Sequence, residues 1–463
     1  MAFRTFIHLR YVLAVGILAS MCLTSHAETA APRDVRLPCG IRLIVKEEQA
    51  TSLVAVQVFV RAGSDEEDAS NCGIGSFVAA TLLKGTKNQH TQDISRLIGS
   101  LGDNVSTSWD PDFTQIQALT LASRFDDASY LISDVLKNAT FPDDEVKTAR
   151  ASLLSGFQAR SLDLYTPVYD NMRRVLYAGT SRERPMNGDQ SVIEKLKPSD
   201  LRAFYQRTFV PRNIVIAVVG NVPADRVIAS FRTNLANFPR ANPSRNVPAL
   251  SGPTPITKPI TVKKFRGDIN ACYILAGYLA PGAGARDYPA MLVMNTLLGG
   301  MKTSKLFTSL REKQGLGYEV SSIFPPQVGW SDVSAFIVAA PTKDGPDGKP
   351  VEMTPIVRDA LIEAIKEFHE TKPADADLQR AKRFLIGSYL IAHERIERRA
   401  YFLGYSEIAQ KELGGYEFDT NYADAINRVT VDDVQRAAKQ YLGDGVVLSM
   451  ILPGDPNAGV IHE

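Results

Sequence analysis

The sequence predicts an α+β protein made of two similar domains, each a mostly antiparallel sheet packed by helices. Three observations carry this reading. A chain of 463 residues is too long for one core. Motifs of its first half recur in its second. Short β-rich runs and longer helical patterns segregate within each half, without the steady strand–helix–strand rhythm of a parallel fold.

The recurrence is specific. Thr81-Leu82-Leu83 returns as Thr296-Leu297-Leu298, 215 positions later; at the same offset Arg96, Leu101-Gly102 and Val105-Ser106 return as Arg311, Leu316-Gly317 and Val320-Ser321. Further on, Asp200-Leu201 and the apolar run to Asn221 are matched by Asp433-Val434 and the run to Asp455, now 233 to 234 positions away. The extra residues fall in the Gly-, Pro- and Lys-rich stretch Thr342 to Pro355, read as a loop insertion. Two copies imply an internal duplication into two domains, because a solenoid needs at least three repeats.

Within each copy, Val54 to Val60 and Tyr273 to Tyr278 read as strands. Ile214 to Val219 and Val446 to Leu452 are strongly apolar runs, candidates for buried strands. Ile356, Leu361, Ile362, Ile365 and Phe368 keep helical spacing, as do Leu201, Phe204, Tyr205 and Phe209. Six prolines between Pro239 and Pro259 mark a linker, so the domains are assigned to residues 28–238 and 260–463.

Residues 1–27 hold Arg4 and Arg10, no acid, an apolar run from Tyr11 to Leu23 and the small-x-small ending Ser25-His26-Ala27, the pattern of a cleaved signal peptide. Met21 stands where lipid attachment at Cys22 would need a smaller residue. Export to the periplasm or beyond is therefore expected, with no membrane span in the mature chain. Of 52 basic residues, 50 remain after cleavage against 51 acidic ones, so no global field favours nucleic acid or an anionic membrane. Cys39, Cys72 and Cys272 allow at most one internal disulfide and match no zinc-knuckle spacing; isolated, mostly buried thiols are the simpler expectation.

Catalytic signatures are scarce. Neither a Gly-x-Ser-x-Gly elbow nor a phosphate-binding Gly-x-x-x-x-Gly-Lys-Ser/Thr loop is present. The chain has six histidines, and His393-Glu394-Arg395-Ile396-Glu397 begins like the helical zinc motif but ends in Glu397 instead of His. A solvated helix with an ion pair accounts for it more simply than a metal.

Leu37-Pro38-Cys39-Gly40-Ile41-Arg42-Leu43, Arg61-Ala62-Gly63-Ser64, the run Gly73 to Thr86, and Phe209-Val210-Pro211-Arg212-Asn213 follow one another in the first half. Leu298-Gly299-Gly300-Met301 and Leu310-Arg311-Glu312-Lys313-Gln314-Gly315-Leu316-Gly317-Tyr318 occur in the second. Together they resemble the processing-peptidase-like branch of the insulinase/pitrilysin family, over nearly the whole mature chain. The resemblance implies clamshell-like subunits enclosing a peptide-cleaving chamber. It also implies an inverted zinc motif, His-x-x-Glu-His, where this chain has Ser76, Ala79 and Ala80. Positions i, i+3 and i+4 share one helix face, which is why two imidazoles and a carboxylate there can grip zinc and activate its water; a hydroxyl and two methyl groups cannot. The family's further glutamate ligand would fall near Ser155, and no carboxylate occurs from Val146 to Leu162.

Family partners lacking the motif supply an Arg and a Tyr to the peptide near the scissile bond, and Arg311 and Tyr318 match them. A guanidinium binds carbonyl or carboxylate oxygens, and a phenol can donate to a developing oxyanion. The alternative is that Arg311 pairs with Glu312 or Glu319 while Tyr318 packs in the core. The resemblance thus implies a zinc-less subunit of a periplasmic metallopeptidase, binding no cofactor itself. Zinc would sit in a paralogous partner, and peptides or unfolded polypeptides would be substrate. A stand-alone peptide-binding or assembly-scaffold protein is the second reading.

Overall fold

The computed structural model describes residues 31–161, 163–238, 252–344, 350–455 and 460–462. The expected signal peptide at 1–27 and residues 239–251 of the expected linker lie outside them. The first half forms a sheet of β1 (Arg33–Arg36), β2 (Arg42–Glu47), β3 (Leu53–Val60), β4 (Val105–Trp109), β5 (Thr114–Leu121) and β6 (Ile214–Gly220), in the order β1-β2-β6-β3-β5-β4. The second half repeats this with β7 (Ile260–Arg266), β8 (Cys272–Pro281), β9 (Glu319–Ile323), β10 (Trp330–Ala339), β13 (Val447–Pro453) and β14 (Val460–His462), in the order β14-β7-β13-β8-β10-β9. Only β2–β6 and β7–β13 pair in parallel within these sheets. Thr342 to Pro355, expected as a loop, instead pairs β11 (Thr342–Asp344) with β12 (Pro350–Glu352) and then enters a helix at Thr354; residues 345–349 are not described.

Four helices position the rest: α1 (Ile74–Thr81), α2 (Tyr165–Leu176), α3 (Tyr288–Asn295) and α4 (Ile396–Ala409). On one face, each sheet packs helices of its own half, with α1 and Phe125–Asn138 against the first and Thr354–Glu370 against the second. The opposite face is covered by the other half. Helix α4 lies across β3 and β6, and α2 lies across β8 and β13. The alternation of β3 shows the consequence. Val54, Val56, Val58 and Val60 enter the first half's own core, whereas Ala55 and Phe59 belong to a core made chiefly of second-half residues. The central strands are apolar on both sides, β6 without a break, because both their faces are buried.

The two crossings are mirror solutions to one packing problem. Carrying the repeat through the registers, Val105 and Val320 pair with Ala118 and Ile337, which pair with Val56 and Ile274; Phe59 and Gly277, three residues on, therefore hold equivalent places. Over Phe59 the helix offers Gly404, where a Cβ would stand 2.5 Å from the ring. Over Gly277 it offers Met172, whose sulfur a Cβ would meet at 2.3 Å. Large on small fills one crossing, and small on large fills the other.

Polar contacts fix the exchange. Arg42 pairs with Glu407, and Arg399 with Glu48 at 3.0 Å, tying α4 to the first sheet. Tyr169 and Tyr177 donate their hydroxyls to one oxygen of buried Asp332, at 2.9 and 3.0 Å, while their rings flank the Arg173 guanidinium. Arg182 donates to Asp112 at 2.6 Å and to the carbonyl of Trp330 at 2.6 Å, and Asp112 accepts the Val328 N–H at 2.8 Å.

Cleavage at a protease site inserted between Arg245 and Asn246 should therefore leave two fragments that co-elute at the intact chain's size in gel filtration and separate only in denaturant. Elution as two free halves without denaturant would contradict the exchange. Gly404→Ala should lower the urea-unfolding free energy by about 1–3 kcal/mol, the cost of overpacking; an unchanged midpoint would mean that the crossing is looser than its contacts indicate.

Candidate functional site

Helix α1 begins at a carboxylate cradle. Glu67, buried, accepts the N–H of Gly73 and of Gly75, each at 2.8 Å, satisfying donors that a helix start leaves without partners. Gly73 holds φ +95°, which opens the turn for this contact. Ile74, Phe77 and Val78 point into the core, and Arg150 lies over Phe77, 5.6 Å from the ring centre.

Ser76 spends its hydroxyl on the Gly73 carbonyl at 2.8 Å. Ala79 is buried and its carbonyl accepts from Thr107, while Ala80 is exposed. A donor set of one engaged hydroxyl and two methyl groups does not fit a zinc ion. His90, on the loop before the next helix, is exposed. Among the described residues, no three His, Cys, Asp or Glu side chains gather as a metal site would require.

The second half brings Arg311 and Tyr318 together. Arg311 sits on a wide π-helical turn, Phe307–Lys313, with its guanidinium 5.0 Å from the ring centres of both Phe307 and Tyr318. Tyr318 leads into the edge strand β9 and is anchored by its N–H to the Val338 carbonyl at 3.0 Å, yet its side chain is 81% exposed. The alternative placement is thereby overturned: among the described residues no ion pair joins Arg311 to Glu312 or Glu319, and Tyr318 is outside the core. A cation held between two rings is positioned without a counter-charge, so its N–H groups stay available for a ligand.

Beside β9 runs a groove that sequence reasoning missed. One cavity of about 220 Å³ reaches from Glu319 to Phe336 and Tyr165, and a second of about 390 Å³ continues from Tyr165 and Ile323 to Tyr401 at the junction of the halves. The equivalent sheet surface in the first half is polar. There Gln115 donates to Gln57 at 2.6 Å, Gln117 to Ser106 at 2.8 Å and Ser108 to Gln115 at 3.2 Å. Register places Phe336 where Gln117 stands and Ile323 where Ser108 stands. The available signal was Tyr-x-x-x-Tyr, at 165/169 and again at 401/405.

The remaining candidates are structural. His393 closes one helix and Glu397 belongs to α4, so they share no helix face; His393 contacts Asp419 at 3.0 Å and lies between Tyr389 and Phe402, while the ion pair of this segment joins exposed Arg395 to Glu397. Cys72 and Cys272 are buried, Cys39 is half-buried, and all three thiols are free. No described helix is long and apolar enough to cross a membrane.

Comparison with known proteins places this geometry. Residues 42–189 match the model described as insulinase (peptidase family M16), and residues 195–385 that of the peptidase M16 inactive domain. An uncharacterized zinc protease of Mycobacterium leprae is 25% identical over 421 residues, 90% of each chain. The mitochondrial cytochrome b-c1 complex subunit 1 of Mus musculus is 22% identical over 56% of this chain and 54% of its own. Among solved structures, a protease from Helicobacter pylori superposes with TM-score 0.82 at 17% identity, covering 92% of this chain and 100% of that one.

Burial pushes the Glu67 carboxyl up to about 7, against the pull of its two backbone hydrogen bonds. The folded state thus holds this proton more tightly than the unfolded chain, so the contribution to stability is complete below about pH 4.5 and is lost as pH rises through 7. Between those limits, Glu67→Gln should flatten the pH dependence of the urea-unfolding free energy by up to roughly 3 kcal/mol. Parallel pH profiles of variant and wild type would refute this.

Proposed function

The chain belongs to the insulinase family, peptidase M16, and on that premise we propose that it is the zinc-less subunit of an exported two-subunit metallopeptidase. In this reading a paralogous partner carries the metal, the leader at residues 1–27 directs export, and peptide or unfolded polypeptide is the substrate. The observation that carries it is the Arg311–Tyr318 pair, an exposed phenol held on a guanidinium, opposite in character to an α1 face with no metal donor. Arg311 binds and orients the peptide through carbonyl or carboxylate oxygens; Tyr318 donates its hydroxyl where negative charge develops on the carbonyl oxygen under attack. This division of labour supplies positioning and charge stabilisation from one chain and the nucleophile from the other.

A second reading, a peptide-binding or assembly-scaffold protein without proteolytic role, is favoured by the likeness to a cytochrome b-c1 complex subunit over half the chain.

The test is to purify the chain alone and mixed with a zinc-motif paralogue encoded beside it. Alone, it should bind no stoichiometric zinc and cleave no peptide; mixed, it should support turnover. In the complex, Tyr318→Phe should lower kcat by up to about 10²–10³-fold, and Arg311→Ala should act mainly on KM. Arg96→Ala, at the duplicated position in the first half, should leave both unchanged. Near one zinc per isolated chain would refute the reading. Peptide binding without turnover, in every mixture, would select the second.

A further inference from the structure

The exchanged helices carry the same pair of residues. Tyr165 and Tyr169 on α2, and Tyr401 and Tyr405 on α4, are each 236 positions apart in the sequence. Each pair stacks in the same way: centroids 5.6 Å apart and planes 14° from parallel in the first, 5.6 Å and 5° in the second. The cavity of about 390 Å³ lies between them, and Ile323, 38% exposed on edge strand β9, lines it. The deeper hydroxyls are spent on the protein, Tyr169 on Asp332 and Tyr405 on the Pro326 carbonyl. The rings therefore meet the cavity as aromatic surface.

Charge completes the picture. The lining includes the carboxylates of Asp110 and Asp170 and not one Lys, Arg or His. Asp110 accepts the N–H of Asp112 at 3.0 Å, and Asp170 that of Met186 at 3.4 Å. Burial holds the Asp110 carboxyl above its usual range, only partly offset by the more distant charges of Arg182 and Arg173. Arg182 is committed to Asp112 and Asp65, and Arg173 lies against the buried rings of Tyr169 and Tyr177. Tyr401 already takes the Arg398 guanidinium at 4.8 Å, so this aromatic set accepts cations within the protein.

From these observations we propose that the cavity between the two tyrosine pairs is a binding site for an organic cation, an alkylammonium group seated against the rings with Asp110 as counter-charge. Ring quadrupoles and a desolvated carboxylate both favour a positive group, and the apolar walls reject a fully hydrated inorganic ion. An anion would face two carboxylates, and a neutral guest would leave unused a carboxylate that its surroundings offset only in part. The site does not depend on the peptidase reading: the ammonium can belong to a free amine or to a lysine side chain on a peptide.

Calorimetric titration of the full chain distinguishes these sources. One arm compares choline with 3,3-dimethylbutan-1-ol, its uncharged isostere. The other compares a terminally blocked Ala-Ala-Lys-Ala-Ala peptide with its Nε-acetyl-lysine form. In at least one arm the charged probe should bind roughly tenfold or more tightly than its neutral counterpart, and the arm that responds identifies the source. Asp110→Asn should weaken that binding about tenfold, and Tyr165→Leu, which keeps apolar bulk without the ring, about threefold or more. Circular dichroism checks that each variant is folded, and Tyr165→Leu carries the test if Asp110→Asn is not. Equal affinity for charged and neutral probes, full affinity in the folded variants, or no binding by either cation at 10 mM would overturn the proposal.

Discussion

The packing of α2 and α4 across each other's sheets is the constraint on which the rest of the molecule depends. Each six-stranded sheet has one face closed by its own helices and the other closed only by a helix from the opposite half. Phe59 against Gly404, and Gly277 against Met172, set the depth of the two crossings. The buried groups around Asp332 and Arg182 follow from this arrangement, because a charge can stand at such a junction only where partners from both halves surround it. The groove beside β9 exists for the same reason: α2 crosses β8 and β13, reaches β10 through Tyr169 on Asp332 and Tyr165 on Phe336, and stops short of edge strand β9, where Glu319 and Ile323 stay exposed.

Two copies of one architecture have diverged where chemistry is concerned. The first half keeps the helix start, with Glu67 on the N–H groups of Gly73 and Gly75, but presents Ser76, Ala79 and Ala80 beyond it. The second half keeps Arg311 and Tyr318 on a π-turn beside its edge strand. Their open sheet surfaces also differ, a ladder of glutamine and serine in one and Phe336, Ile323 and Tyr165 in the other. Equivalent backbone thus carries a hydrophilic surface in one place and an apolar groove in the other.

Much of the fold was legible because it is written in local patterns. The duplication, the strands at Val54–Val60 and Ile214–Val219, and the helices around Leu361 and Phe204 all lie where apolar period placed them. The exchange was not legible. The apolar stripe of α4 looks the same whichever sheet receives it, and only the pairing of Gly404 with Phe59 settles the choice. Glu67 escaped notice because its partners are backbone N–H groups, which have no sequence signature. Tyr318 could not be assigned to surface or core by residue type, since a phenol suits both. His393 shows another limit: Glu397, near it in sequence, is on another helix and pairs with Arg395, while the partner of His393, Asp419, is far along the chain.

The exchange also governs how the chain can be made. As synthesis proceeds, the first sheet is complete once β6 has appeared, yet the face bearing Ala55, Phe59 and Ala217 stays bare until Ile396–Ala409 has been synthesised. More than 170 residues separate those two events. During that interval the nascent chain exposes a flat apolar sheet surface of the kind that aggregates or recruits chaperones. The first half of this polypeptide therefore cannot complete its packing until nearly the whole chain has been made.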